Sequence, residues 1–297
     1  MTAPIVVGYT ATDAGAEAAA LGARLARAIG AHLHLVMVLP REGTRSAAVA
    51  PERAYENVIR AQGRTWLDEA LRALPADAPR SGHVRFAESY AEGLIAAGEE
   101  FGAGMIVIGA AGGGLLGAHR LGSVASELLH SSTIPVVLAP SGAADRSTPI
   151  TRVTVAVGTR PGADALLDEA VALAGAAGAD LRLVSLMPLD LPPGLDTGAI
   201  AIAGQEHGAD VLAAVRAALP AGISAQVERA SGDSVEDAVA QLDWQPGEVV
   251  LVGSSRLAQP RRLFLGSTAA KMLHVLSVPM IVVPRTRADG SPGGEHA

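Results

Sequence analysis

The chain has 297 residues, a formal net charge of −7 and no cysteine. An acidic chain without a basic tract is a poor match for nucleic acid or an anionic membrane surface, and 3% aromatic content leaves little for base stacking. The missing cysteines exclude disulfides, thiolate metal sites and cysteine nucleophiles, and they fit a reducing, cytoplasmic setting. Hydrophobic residues make up 49% of the chain, mostly Ala, Val, Leu and Ile, so a sizeable core is available. No apolar run approaches the ~18 residues of a membrane span. The start, "MTAPIVVGYTATDAG", has neither a cationic segment nor a long apolar one, so no secretory signal is expected.

Short apolar strands alternate with helical patterns along the chain. "PIVVGY" reads as a strand. Residues 16–29 read as an Ala-rich helix with Arg24 and Arg27 exposed, and Asp13 is expected to cap it. "HLHLVMVL" is a second strand. Leu67, Ala70, Leu71 and Leu74 lie on one helical face, and "HVRFAE" alternates as a strand does. Leu94, Ala97, Gly98 and Phe101 mark another helix, followed by the strand "MIVIG". A last helix from Ser123 to Leu129 precedes the strand "IPVVLAP".

The order then repeats. "GAHLHLV" at Gly30 is matched by "GADLRLV" at Gly178, and "VIGAAG" at Val107 by "LVGSSR" at Leu251. "LGSVASELLHSSTIPVV" at Leu121 is matched by "LGSTAAKMLHVLSVPMI" at Leu265. The chain is a tandem duplication. Two domains are expected, 1–141 and 151–285, with a breaker-rich linker over 142–150 and a disordered tail over 286–297. In the second half Ser234 and Asp237 form a capping-box-like helix start. Alternation of this kind predicts an α/β fold: two doubly wound domains, each a five-stranded parallel sheet with helices on both faces. Ligands in such sheets sit beyond the carboxyl ends of the strands, at the switch point.

"GAAGGGLLGAHRLGS", Gly109 to Ser123, follows the fourth strand. A P-loop fails because Ala118 and His119 stand where Lys and Ser/Thr belong. The letters of a dinucleotide fingerprint occur at Gly112, Gly114 and Gly117, but after the wrong strand and without the later acid. The spacing G-x2-G-x9-G-[ST] fits at Gly109, Gly112, Gly122 and Ser123. Glycines let a backbone approach a ribose and phosphate closely, and a helix opening at Gly122-Ser123 favours an anion.

On this motif and the tandem repeat, nearly the whole chain resembles the universal stress protein family in its two-domain form. One branch of that family binds ATP through this motif, and another lacks the motif and does not bind. The resemblance implies an adenine-nucleotide site at Thr10, Val38, Gly109, Gly112, Gly122 and Ser123. Thr10 stands where the ATP-binding members carry an adenine-facing Asp, and Val38 at a position that lines the adenine. The resemblance also implies that "IPVVLAP" and "VPMIVVP" pair, making the two halves an intramolecular pseudo-dimer open to further homodimerisation. It further implies a role in stress regulation.

The second copy, "GSSRLAQPRRLFLGS", keeps Gly253, Gly266 and Ser267 but has Arg256 at the second glycine, and Gly158 takes the place of Thr10. It is read as structural or regulatory. Arg256, with Gly266 and Ser267 and flanked by Arg261 and Arg262, forms the alternative of an anion site. His32 and His34 share a strand face, without a metal-ligand partner at a recognisable spacing. No nucleophile elbow, general base or metal cluster is legible. A nucleotide-binding regulator, a scaffold acting through partner contacts, and a slow ATPase all stay open.

Overall fold

The computed structural model describes residues 2–41, 50–109, 122–142, 148–157, 163–188, 212–213, 215–217, 219–220, 223–255 and 263–284, with the side chains of 50–55, 163–164 and 187–188 excepted. In the first half the order is β1 (Ile5–Gly8), α1 (Asp13–Ile29), β2 (Leu33–Pro40), α2 (Ala50–Ala73), β3 (Arg80–Ala87), α3 (Tyr90–Phe101), β4 (Met105–Gly109), α4 (Ser123–Ser131) and β5 (Val136–Ala139). The second half runs β6 (Arg152–Val157), α5 (Ala163–Ala177), β7 (Asp180–Pro188), β8 (Ala225–Gly232), α6 (Val235–Ala240), β9 (Glu248–Gly253), α7 (Ser267–Val275) and β10 (Met280–Val283).

The strands form one ten-stranded sheet in the order β3-β2-β1-β4-β5-β10-β9-β6-β7-β8. Within each half all pairings are parallel. The halves meet edge to edge where β10 runs antiparallel to β5, with Ile281 opposite Val137. Alternation along β1 sends Ile5 and Val7 to one face and Val6 to the other. Each face carries a core that runs through both halves. One contains Leu21 of α1, Leu67 of α2 and Leu167 of α5, and the other Leu94 of α3, Leu128 of α4 and Met272 of α7.

Helix ends follow local chemistry. Thr12, not Asp13, caps α1, its hydroxyl accepting from the Gly15 N–H. Gly30 closes the helix in the left-handed region at φ 65°. Ser234 caps α6 by accepting from the Asp237 N–H. Arg24 is buried rather than exposed. Its guanidinium donates to the carbonyls of Thr148 (2.7 Å) and Pro246 (3.1 Å), tying α1 of the first half to the second. A second tie runs from the Leu263 N–H to the Ser132 carbonyl (2.9 Å), where Phe264 meets the His130 ring edge-on.

The pair His32 and His34 does have a histidine partner. His83 on β3 places Nε2 3.1 Å from His34 Nδ1, and the Ser81 hydroxyl lies 3.0 Å from a ring nitrogen of each of the three histidines. Phe101 stacks on His34 with ring centres 4.2 Å apart. Among the described residues no group of three metal-ligating side chains is arranged to hold a metal. Burial, helped by the neighbouring His32 and His83, lowers the His34 pKa to about 4. Below an unfolded value near 6.5 the unfolded chain takes up a proton that folded His34 refuses, so stability falls as pH drops from about 6.5 to about 4. Gln at position 34 keeps a hydrogen-bonding group and removes the titration. His34→Gln should therefore lose less melting temperature than the parent between pH 7 and pH 4.5. Parallel pH profiles would refute this assignment.

Candidate functional site

The topology reverses between β1 and β4: α1 leaves β1 on one face, and α4 leaves β4 on the other. Their carboxyl ends flank a cleft of about 320 Å³. It is lined by Gly8 of β1 and Thr10 just after it, Ala14 and Gly15 of α1, Tyr90 of α3, Ile108 and Gly109 of β4, and Gly122 to Ala125 at the start of α4.

Four of the sequence-assigned residues converge here: Thr10, Gly109, Gly122 and Ser123. Gly112 and Arg256 lie outside the described residues. Val38 is not among the cleft's lining. It is buried in the core beneath α3, where a Cβ on Gly93 would come within 2.6 Å of its Cγ1.

The start of α4 opens into the cleft. Its N-cap, Gly122, has extended backbone and makes no side-chain capping bond. Helices α1 and α3, by contrast, are capped by Thr12 and Ser89. Among the described residues no group accepts from the first three amides of α4, and Ser123, Val124 and Ala125 all line the cleft. Ser123 contributes a hydroxyl as well.

Gly109 has a second constraint. A Cβ there would lie 2.1 Å from the Ala14 carbonyl oxygen, inside α1. Its backbone borders the cleft, but packing against α1 already forbids a side chain. Thr10 holds its hydroxyl 2.8 Å from that of Thr12, so its side chain is engaged within the loop itself.

In the second half the corresponding loop is knitted at its base. Phe264 donates its N–H to the Ser254 hydroxyl (2.8 Å), and Ser255 donates its N–H to the Phe264 carbonyl (2.8 Å). Gly266 and Ser267 open α7 as Gly122 and Ser123 open α4, again without a side-chain cap.

Sequence reasoning missed Gly8, Ala14, Gly15, Tyr90, Ile108, Val124 and Ala125. Gly8 ends β1 and Ile108 stands one residue before the end of β4, so both could have been found from the switch-point rule. Tyr90 carries no motif; only packing of α3 brings it here.

A doubly wound domain with a cleft at its topological switch point has the layout of the ligand-binding α/β proteins. The comparison with known proteins makes the class specific. A model of the Universal stress protein family matches residues 1–140 and again 149–284, and the chain belongs to this family. Universal stress protein Rv2319c of Mycobacterium tuberculosis (strain ATCC 25618 / H37Rv) is 27% identical over 289 residues, spanning 94% of this chain and 99% of the relative. A universal stress protein of Archaeoglobus fulgidus DSM 4304 shares the fold with a TM-score of 0.59 at 17% identity, over 96% of this chain and 100% of that one. A putative universal stress protein of Pseudomonas aeruginosa UCBPP-PA14 does so with a TM-score of 0.57 at 19% identity, over 95% and 92%. No described helix is long and apolar enough to cross a membrane.

Proposed function

We propose that the first half binds an adenine nucleotide, ATP or a relative of it, and that the protein is a cytoplasmic stress-response regulator reading nucleotide state. The observation that carries this reading is the uncapped start of α4 opening into the switch-point cleft. The phosphates would take the amides of Ser123 to Ala125 and the Ser123 hydroxyl, with Gly112 admitting the backbone close by. The nucleoside would lie over Gly8 and Thr10, at the carboxyl end of β1. The described lining carries no carboxylate, imidazole or amine to activate water, which favours binding over hydrolysis.

The second half, 151–285, serves as the structural partner of 1–141 across the connector 142–150. The antiparallel β5–β10 seam supports reading the chain as an intramolecular pseudo-dimer, with the remaining surface free for homodimerisation. The anion reading of Arg256, Gly266 and Ser267 is tested by the same titration.

Ser123→Asp tests the site without endangering the fold. A carboxylate in the first turn complements the helix dipole by about 0.3–1 kcal/mol and repels phosphate. The parent should gain melting temperature with ATP, ADP or cyclic AMP, and Ser123→Asp should melt at least as high and gain none. A shift retained in Ser123→Asp would move the site elsewhere in the chain. A scaffold acting through partner contacts is the second reading, favoured by the engaged Thr10 hydroxyl and the packing reason for Gly109. A parent that shows no shift with any nucleotide would select it.

A further inference from the structure

Tyr90 sits at the first position of α3, and its ring borders the cleft. A Cβ on Gly8 would lie 3.2 Å from its Cε1, with Leu94 and Ile108 packed around the same point. Its hydroxyl is shut off from solvent and, among the described residues, has no hydrogen-bond partner. Burial raises its pKa, so the phenol is neutral and able both to donate and to accept. A buried hydroxyl without a partner is destabilising, and native proteins seldom leave one so. Tyr90 is also one of the residues that line the cleft, so a ligand seated there is within reach of a turn of its ring.

We infer that Tyr90 is a ligand-binding residue whose hydroxyl is satisfied by the nucleoside part of the bound nucleotide, at a ribose hydroxyl or a base nitrogen. The inference rests on the nucleotide reading above. The apolar walls at Leu94 and Ile108 select a neutral polar edge, because desolvating a phosphate there without a cation would be far more costly. The phosphates keep to the α4 amides, and the phenol reads the other end of the ligand.

Tyr90→Phe removes only the hydroxyl, and titration with ATP, AMP and adenosine separates the outcomes. The expected result is an affinity about tenfold weaker for all three, with an unliganded melting temperature equal to or above that of the parent. Unchanged affinity in Tyr90→Phe, beside a parent that binds, overturns this inference and leaves the nucleotide site standing. A loss that grows with the number of phosphates overturns the nucleoside assignment. A lower unliganded melting temperature shows that the hydroxyl already has a partner and overturns it too. A parent that binds none of the three removes both readings.

Discussion

Glu248→Ala should lower the folding stability of the protein by about 3–5 kcal/mol, more than any other single side-chain truncation considered. Glu248 is fully buried at the start of β9. One carboxylate oxygen accepts from Arg182 Nη2 (2.6 Å) and from the Thr154 hydroxyl, and the other from Arg152 Nη2 (2.5 Å) and the Gln245 N–H (3.1 Å). Arg182 also bonds Thr154 (2.9 Å) and Glu228 (3.0 Å), and its guanidinium lies over the Trp244 ring. Both arginines are buried. Removing Glu248 leaves two cations in a low-dielectric site with one exposed partner, Glu228, between them. The cost comes from stranding charge rather than from the worth of the pair. Replacing Arg152, Arg182 and Glu248 together by apolar residues of similar volume should therefore cost far less than Glu248→Ala alone. Urea midpoints of the two variants decide the matter. A single variant that unfolds at the parental midpoint would show the network to be energetically idle.

Gly109→Ala should be nearly as damaging, while Gly253→Ala, at the repeat-equivalent position, should be close to neutral. At 109 the new methyl would meet the Ala14 carbonyl oxygen at 2.1 Å and its carbon at 2.6 Å, so α1 or the end of β4 has to move. Overpacking against backbone belongs at or above the ~3 kcal/mol upper end for crowded cores. At 253 the methyl would touch only Leu166 Cδ2, at 3.7 Å, an ordinary van der Waals distance. Neither glycine has positive φ, so conformational preference does not separate them. Equal melting temperatures for the two variants would mean that α1 yields easily, and would return Gly109 to a purely ligand-directed role. The comparison matters because loss of nucleotide binding in Gly109→Ala would otherwise be mistaken for loss of a ligand contact.

Much of this molecule was legible as a pattern. The repeats "HLHLV" and "DLRLV", the alternation of strand and helix periods, and the Gly122-Ser123 helix start depend on neighbours in the chain, and local periodicity records them directly. They sufficed for the parallel α/β halves and for placing Gly109 and Gly122 at the carboxyl edge of the sheet. Long-range proximity was not legible. The aligned repeat puts His34 where the second half has Arg182, yet only strand pairing sets His83 beside one and Glu228 beside the other. One half thus holds an imidazole cluster and the other an ion network. Arg24 looked like a solvated helix residue because its acceptors, Thr148 and Pro246, are more than a hundred positions away. Gly109 fitted a spacing that suggested a ligand, but the reason it cannot carry a Cβ is the first turn of α1, brought there by the β1–β4 pairing. The sequence alone determined the two halves, their periods and the helix start that faces the cleft. The tertiary structure decided which buried groups meet and which, like the Tyr90 hydroxyl, are left without a partner, because burial and partnership arise from chain segments that only packing brings together.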